Sequence, residues 1–461
     1  MRRFVVLCIL LAIGLVINVA MLVSSPMTDK PGPSFLFLWC AGFVPYLAAC
    51  LWILNSRPAE GRLRWLELAM ILVGAVVLRA VLLPMPPNLS HDSWRYVWDA
   101  RVTLHGYSPY VYAPGDPMFS HLRDIIYENS RFRNVPTLYP PAAQAVYLLS
   151  YLIFPSSLFG LKGIFLIFDL VSCALLAYLL HRRRLDAARC IIYAWCPLPI
   201  IEFAIQGHVD VITITFTLLT VVVSLSKRKG MDVVTGCLLG IAALTKIYPL
   251  VFLVAFLRGK DWYRRDWKLI AACLLTIVAG YVPYLILGSG QVLGFFSTYA
   301  SEHTPNAGLV QHLMGFVASL FGIPDHVRTI AEYALDFGLV AVTSLALLRL
   351  CVKERISSEA AILILTGVIF VVSSHIFPWY TPALLPWAAV LIQPIWTRRA
   401  GLNAQGLAAA AAWYFACISI TGYADVFAWN WIWYYVLAYG VTIAAIGTAV
   451  IRSVSRPGVA L

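Results

Sequence analysis

One run combines charged and aromatic side chains more densely than any other part of the chain: residues 91–101, HDSWRYVWDAR. At helical spacing, Asp92, Arg95 and Tyr96 lie on one face, and Asp99 lies on the same face two turns further on. A carboxylate in such a place can accept the proton of an attacking hydroxyl. Cations and rings beside it suit a charged, partly lipidic ligand. This run is therefore the first candidate for a functional site.

The rest of the chain is strongly apolar, since 61% of its 461 residues are hydrophobic and 12% are charged. A soluble domain usually carries about 25% charged residues. Apolar segments long enough to span a bilayer recur along the chain, beginning with residues 4–24, which we expect to be a retained helix. We predict an all-α, polytopic transmembrane helix bundle of about 12–14 membrane segments. It is expected to form one membrane domain over residues 1–461.

The basic residues predict the orientation, because cytoplasmic loops carry an excess of Lys and Arg. Arg2 and Arg3 place the N-terminus in the cytoplasm, and most of the 34 Lys and Arg residues fall in connections predicted to be cytoplasmic. Residues 84–140 then form the first large extracytoplasmic loop, which carries juxtamembrane helices and the run 91–101. The net charge of +12 is thus an orientation signal and not a nucleic-acid-binding patch.

Two apolar stretches do not fit a simple crossing. Residues 141–157 are interrupted by Pro155, and we predict a partial or re-entrant helix there. Residues 233–257 have basic residues on both sides, so both ends should be cytoplasmic. We therefore predict two short helices with a hinge near Lys246, a geometry that proteins tolerate where other segments cover the broken backbone.

The predicted topology gathers unusual residues at one face of the membrane. Ionisable residues at membrane depth are costly, and they usually face the bundle interior and serve a function. The candidate site residues are Asp92, Arg95, Tyr96, Asp99, Arg101, Tyr139, Asp169, His208, Asp210, Lys246, His375, Trp379 and Tyr380. The ten cysteines lie mostly in apolar segments, without a CxxC pair, and we expect neither metal binding nor a disulfide framework.

Each candidate also has a structural interpretation, and these alternatives stay open. They are a hydrogen-bonding carboxylate for Asp169, a packed histidine for His208, a snorkelling lysine for Lys246, and interfacial aromatics for Trp379 and Tyr380. Asp99 can equally pair with Arg95 or Arg101. The coincidence of nearly all candidates on one predicted face, opposite loops that are only basic, favours a functional site.

Several short motifs follow one another in a particular order. They are Asp92-x-x-Arg95-Tyr96-x-Trp98-Asp99-x-Arg101, Gly106-Tyr107-Ser108-Pro109-Tyr110, Tyr139-Pro140-Pro141, Phe168-Asp169-Leu170, Gly207-His208-Val209-Asp210, Lys246-Ile247-Tyr248-Pro249 and Phe377-Pro378-Trp379-Tyr380. This order, over roughly residues 66–395, resembles bacterial membrane glycosyltransferases of the GT-C superfamily, especially the polyprenyl-phosphate-mannose-dependent mannosyltransferases. One departure is His91-Asp92, where many members have two adjacent acids.

The resemblance implies a multi-pass enzyme of the bacterial inner membrane. Such an enzyme moves a sugar, here with mannose favoured, from a polyprenyl-phosphate donor to a glycan, lipid or protein hydroxyl on the extracytoplasmic side, with inversion at the sugar carbon. Asp92 would be the general base, and the other candidates would bind the substrates, with Lys246 and Arg95 or Arg101 on the phosphate. We expect no cofactor, and the single acid disfavours a divalent metal without closing that alternative.

Two other classes of function stay open at this stage. A transporter or flippase of a lipid-linked or anionic solute would use the same ionisable residues, but such proteins usually show internal repeats, and none is evident here. A non-catalytic membrane assembly factor would not explain the charged outer loop.

Overall fold

The computed structural model describes residues 1–25, 31–226, 228–302, 305–397, 403–423 and 431–455, and within these ranges it contains helices and no strand. The helices are α1 Arg2–Ser24, α2 Pro33–Asn55, α3 Gly61–Ala80, α4 Asp92–Leu104, α5 Ile125–Asn129, α6 Pro141–Ile153, α7 Leu158–Arg182, α8 Ala187–Ala194, α9 Pro197–Ile205, α10 Asp210–Ser224, α11 Met231–Ala243, α12 Trp262–Arg265, α13 Trp267–Leu287, α14 Phe296–Ser301, α15 Leu309–Phe321, α16 Asp325–Val352, α17 Ser358–Val372, α18 Leu385–Leu391, α19 Ala404–Ile418, α20 Trp431–Tyr434 and α21 Val441–Ser455. Short 3-10 segments cover Pro117–Leu122, Tyr248–Phe256, Pro378–Leu384, Ile395–Thr397 and Ser419–Gly422, and a π turn covers Tyr435–Gly440.

The helices have the length and composition of membrane-spanning segments. Seven in the described ranges are long and apolar enough to cross a bilayer, or eight if α8 and α9 count as one bent span. Five shorter apolar helices accompany them: α6, α10, α11, α15 and α17. Large apolar side chains such as Val16 and Phe337 are 67% and 74% exposed, which hydrocarbon tolerates and water does not. The predicted polytopic helical membrane bundle is confirmed.

The chain divides into two compact units. The first comprises Met1–Pro249 with Leu269–Ser297, and the second comprises the described parts of Leu250–Lys268 and Thr298–Leu461. The expectation of one membrane domain, with residues 84–140 as its outer loop, stays a prediction.

The helical spacing seen in residues 91–101 corresponds to a real helix. α4 begins at Asp92, directly after His91, and packs against α5, α6 and α7 within the first unit. Most of its residues are buried, including Arg95 and Asp99, so the helix is a polar element enclosed by apolar ones. Such a helix is stable only if its charges find partners.

Both stretches with unusual patterns contain the expected breaks. α6 ends at Ile153, before Pro155, and Ser156 adopts a positive φ of 56° that turns the chain into α7. α11 ends at Ala243, and a 3-10 segment follows from Tyr248, so the chain is broken around Lys246. Pro249 has no backbone N–H to continue the preceding helix.

The apolar residues 187–205 do not form one straight helix. The segment forms α8 and α9, which are bent relative to each other by 50°. Pro197 and Pro199 lie at the bend and interrupt the helical hydrogen bonds. α9 then continues as a π turn over Ile200–Ile205, a rare conformation that often occurs at functional sites.

Candidate active site

Gln206 holds the backbone that leads into the first turn of α4. Its side-chain Oε1 accepts hydrogen bonds from the backbone N–H of Asn88 and of Leu89, both at 3.0 Å, and from that of Ser90 at 3.4 Å. Its Nε2 donates to Oδ1 of Asn88 at 2.9 Å. Gln206 is fully buried, so these bonds are shielded from water. They fix the point at which Asp92 enters the site.

Gly207 allows the same turn to approach α4 closely. Its φ is +69°, a conformation that other residues rarely adopt. A Cβ atom there would also lie 3.0 Å from Cγ of Lys162 and 3.2 Å from Cβ of Ser93. The glycine therefore permits both the backbone turn and the packing of α7 and α4 around it.

A charged cluster adjoins Asp92. Nζ of Lys246 lies 2.6 Å from Oδ1 of Asp210, and this pair is largely buried. The other oxygen of Asp210, Oδ2, is buried and makes no hydrogen bond to the described residues. Both side chains interact electrostatically with Asp92, and so does Arg131 from the loop before α6. The cluster thus combines two carboxylates with two cations.

Asp92 is the least enclosed carboxylate of the cluster, with 19% of its side chain exposed. Burial raises the pKa of Asp92 to about 6, and Asp210 contributes in the same direction. Arg131 and Lys246 oppose the rise by stabilising the charged form, and Ser90 does so by a hydrogen bond. At neutral pH the carboxylate is mostly ionised yet more basic than a free aspartate, as a general base requires.

His208 lies behind Asp92, away from solvent. Its Nδ1 is 3.9 Å from Oδ2 of Asp92, and its Nε2 is 3.4 Å from Oε2 of Glu202. Both His208 and Glu202 are completely buried. Burial, with help from Lys246, lowers the pKa of His208 well below its ordinary value, so the ring is neutral at pH 7.

The turn that carries Lys246 is fixed to two other elements. The carbonyl oxygen of Leu244 accepts hydrogen bonds from the backbone N–H of Ala142 at 2.9 Å and of Ala143 at 3.3 Å. These are N–H groups of the first turn of α6, which lack a partner within the helix. The hydroxyl groups of Thr245 and Thr213 are 2.8 Å apart. The backbone just after the motif at residues 139–141 is therefore bonded to the backbone just before the motif at residues 246–249.

Arg95 and Asp99 form an ion pair within α4, with Nε 2.7 Å from Oδ1. The guanidinium group also donates to the carbonyl oxygens of Phe132 at 2.8 Å and Val135 at 3.0 Å. Gln144 donates to the second oxygen of Asp99 at 3.3 Å. These contacts match the structural alternative for Asp99, while a substrate contact for either residue stays a prediction.

Three tyrosines form one wall of the site. The rings of Tyr96 and Tyr147 are stacked with centroids 4.5 Å apart, and the ring of Tyr139 lies edge-on to Tyr96 at 4.9 Å. The hydroxyl of Tyr96 donates to that of Tyr139 at 3.3 Å. The Tyr147 hydroxyl is buried and makes no hydrogen bond within the described part of the chain. It lies near enough to Asp92 and Asp210 to interact electrostatically with them.

Arg101 and Asp169 are engaged elsewhere in the first unit. Arg101 makes two 2.8 Å bonds to the carboxylate of Asp124. Asp169 is fully buried and pairs with Arg79 at 2.5 Å, and it accepts a 2.8 Å hydrogen bond from Tyr193. Both arrangements are those of internal ion pairs, and a substrate contact for Arg101 or Asp169 stays a prediction.

His375, Trp379 and Tyr380 belong to the second unit, where they lie close together. The ring of His375 stacks on Tyr299 with centroids 4.0 Å apart, and its Nε2 is 3.3 Å from Oε2 of Glu302. The hydroxyls of Tyr299 and Tyr380 are 3.2 Å apart. Trp379 is largely buried, which differs from a belt aromatic that faces the membrane interface.

The sequence interpretation missed four residues of the first-unit site: Arg131, Tyr147, Glu202 and Gln206. A signal existed for Glu202, because it is a carboxylate within an apolar segment, as Asp169 is. No comparable signal marked Arg131 in its polar loop or Tyr147 among other aromatic residues. Among the residues described, no group of three or more His, Cys, Asp or Glu side chains is arranged to hold a metal ion.

Comparison with known proteins identifies the family. Residues 138–374 match the sequence profile of glycosyltransferase family 87, which is just over half of the chain. No curated protein matches the chain. The matched span contains Tyr139, His208, Asp210 and Lys246, whereas Asp92 precedes it. The chain therefore belongs to glycosyltransferase family 87, and it is a membrane glycosyltransferase.

Proposed function

We propose that this enzyme transfers a hexose from a polyprenyl-phosphate donor to a hydroxyl of a glycan, lipid or protein acceptor. Mannose is the favoured sugar, because the motif order resembles that of the mannosyltransferases. The reaction is of the GT-C type and takes place on the extracytoplasmic side of a bacterial inner membrane, with the N-terminus of the enzyme in the cytoplasm. One observation carries the proposal: the Asp92 carboxylate of raised pKa lies beside the Lys246–Asp210 pair.

In the proposed reaction Asp92 acts as general base. The acceptor hydroxyl oxygen attacks the anomeric carbon, and its proton moves to the Asp92 carboxylate. The bond between that carbon and the phosphate oxygen breaks, and the electron pair leaves with the polyprenyl phosphate. Attack from the face opposite the leaving group inverts the configuration of the sugar carbon. One carboxylate suffices, because a phosphate needs less protonation than an alkoxide leaving group.

Lys246 and Arg131 are the proposed partners of the donor phosphate. A lysine ammonium is a compact charge with three donors, and an arginine can bind phosphate oxygens in a bidentate manner. Asp210 holds the ammonium group of Lys246 in place before the donor binds. The carbonyl oxygen of Leu244, just before Lys246, bonds to the first turn of α6 and so fixes the turn that carries the lysine. Preorganised cations of this kind stabilise the charge that develops on the leaving group.

The remaining candidates are proposed to contact the substrates. Tyr139 is partly exposed and would offer an aromatic surface to the sugar, while Tyr96 is buried and supports Tyr139 through the contact between their hydroxyls. For His375, Trp379 and Tyr380 in the second unit we propose donor contact. The ring of His375 stacks on Tyr299, and the ring of Trp379 lies edge-on to Tyr380. Membrane lipids surround the enzyme, and nucleic acid is not among its proposed partners.

A transfer assay tests the proposal directly. The purified full-length chain in lipid nanodiscs is given polyprenyl-phosphate-linked mannose, glucose or galactose with a mixture of membrane glycolipid acceptors. We expect transfer of one sugar, release of polyprenyl phosphate, and a product of inverted configuration by NMR. A matched flux measurement with the same donors in sealed vesicles addresses the transporter alternative, and flux without transfer would refute the proposal.

A further inference from the structure

We propose that Glu202 is a positioning residue that fixes the tautomer of His208 and thereby increases the basicity of Asp92. The proposal rests on the proposed function, in which Asp92 is the general base. It is carried by a row of three side chains that runs from the interior of the first unit to the site: Glu202 and His208, which are completely buried, and Asp92, which is partly exposed.

The first step is the contact between Glu202 and His208. Oε2 of Glu202 lies 3.4 Å from Nε2 of His208, and neither side chain is exposed. The two residues are also joined through the backbone, since the N–H of His208 donates to the carbonyl oxygen of Glu202 at 3.1 Å. This bond follows the π turn, whose last bond runs from the N–H of Gln206 to the carbonyl oxygen of Ile201, and it keeps the backbones of Glu202 and His208 close together.

The second step concerns the proton on the ring. A neutral imidazole carries its proton on one nitrogen, and the hydrogen bond made by one nitrogen determines the role of the other. The 3.4 Å contact between Nε2 of His208 and Oε2 of Glu202 does not have the geometry of a hydrogen bond. In the proposal, a small rotation of the ring lets Nε2–H donate to the Glu202 carboxylate, and this bond favours the tautomer with the proton on Nε2. Nδ1 of His208 then presents a lone pair toward Oδ2 of Asp92, which is 3.9 Å away.

The third step is the consequence for Asp92. A lone pair facing the carboxylate offers nothing to the ionised form but accepts a hydrogen bond once the carboxyl is protonated. The arrangement therefore stabilises protonated Asp92, which is the state reached after it takes the acceptor's proton. The gap of 3.9 Å exceeds a hydrogen bond, but catalytic hydrogen bonds are often long before substrate binds.

The other charged groups around Asp92 are not part of the series Glu202–His208–Asp92. Arg131 and Lys246 favour its ionised form, and Asp210 favours the protonated form. All three face the site from other elements, and replacing Glu202 leaves them in place. A shift in the titration of Asp92 on replacement of Glu202 therefore reports the histidine contact.

The test is the pH dependence of kcat for sugar transfer by the full-length enzyme in nanodiscs. Glu202→Gln and His208→Gln should each move the midpoint of the acidic limb down by about half to one pH unit, the effect of one hydrogen bond on one protonation state. The double variant should show the same shift as either single variant. Glu67→Gln is the control, because Glu67 is an equally buried carboxylate of the same unit that pairs with Arg3.

The midpoint does not depend on how much enzyme is folded, so partial loss of folding in either variant leaves the test valid. An unchanged or raised midpoint in both single variants would overturn the positioning role, as would additive shifts in the double variant. If the wild-type enzyme transfers no sugar from any polyprenyl-phosphate donor, the proposed function itself fails. That result is distinct from active transfer with an unshifted midpoint.

Discussion

Lys246 and Asp210 form a close ion pair, with Nζ 2.6 Å from Oδ1, although the two residues are 36 positions apart. The pair leaves the second oxygen of Asp210 without a hydrogen bond inside the described protein. A bound donor can therefore contact the ammonium group through its phosphate and the free carboxylate oxygen through a hydroxyl. Binding of the donor phosphate by Lys246 can therefore be tested by mutation.

Replacement of Lys246 by alanine should weaken donor use. Loss of one charge-assisted hydrogen bond typically costs about 1.5–3 kcal/mol, so the KM for the donor should rise about 10–100-fold. Lys246→Arg should retain part of the affinity because it keeps the charge. Lys260→Ala, at an exposed lysine, is the control for loss of a positive charge. An unchanged donor KM in Lys246→Ala would mean that the lysine serves only the ion pair with Asp210 and does not bind the donor.

Asp92→Asn should abolish most turnover without loss of folding or donor binding. Asparagine keeps the size of the side chain but cannot accept the proton, and loss of a general base typically costs about 10²–10⁴-fold in rate. Single-turnover rates and donor binding by titration calorimetry separate the two effects. Near-normal turnover in Asp92→Asn, with an inactive Asp99→Asn or Asp210→Asn, would assign the base to that other carboxylate.

The rate of transfer should depend on pH through Asp92. Because burial raises its pKa to about 6, kcat should fall as the pH drops through about 6 and should be level from about 7 upward. A buffer series between pH 5 and 8, with donor at saturation, measures this limb. A midpoint near 4, the value of a free aspartate, would contradict the assignment.

The same pKa has a consequence for stability. A carboxyl whose pKa is higher in the folded than in the unfolded state stabilises the fold below about pH 4 and loses that contribution as the pH rises through about 6. Because asparagine does not ionise, the Asp92→Asn variant does not lose stability in this way as the pH rises. The variant should therefore gain in Tm relative to wild type at pH 8 and show no such gain at pH 4. An equal difference at both pH values would argue against a raised pKa.

Asp169→Asn should act on stability and not on substrate binding. Removal of one partner from a buried ion pair leaves the other charge uncompensated, which typically costs about 3–5 kcal/mol, and Arg79 is completely buried. Thermal unfolding in nanodiscs measures the loss, and the donor KM of the folded fraction should stay at the wild-type value. A raised KM with an unchanged Tm would restore Asp169 to the donor site.

Membrane topology can be checked with an impermeant thiol reagent on a cysteine-depleted background. Ser120→Cys lies at an exposed position in residues 84–140 and should be labelled from outside the cell. Lys229→Cys is also exposed and should be labelled only after the membrane is permeabilised. Labelling of Lys229→Cys in intact cells would contradict the predicted hinge in residues 233–257.

Much of the fold was predictable from local patterns in the sequence. The apolar segments marked the membrane helices, the spacing around Asp92 marked α4, and Pro155 and Lys246 marked the two broken segments. These features depend on residues close to one another in the chain, where period and helix breakers act. The bend between α8 and α9 was not predicted, although Pro197 and Pro199 lie within that apolar stretch.

The contacts that organise the site were not predictable in the same way. Gln206 forms hydrogen bonds with residues more than a hundred positions away in the sequence, such as Asn88. The sequence around Gln206 contains no signal that predicts these partners. Glu202 lies in the π turn, a conformation without a reliable sequence signal. Arg131 interacts electrostatically with Asp92 from a loop that Arg95 contacts at Phe132 and Val135. Long-range pairing of this kind is decided by tertiary packing and not by periodicity.

The hydrogen bonds from Arg95 to the carbonyl oxygens of Phe132 and Val135 connect two parts of the site. They tie the loop that bears Arg131 to the same rigid helix that bears Asp92. We therefore expect Asp92 and Arg131 to move together if binding of the proposed polyprenyl donor displaces the neighbouring helices. The distance between the proposed base and this cation should then change little, even where the surrounding bundle deforms.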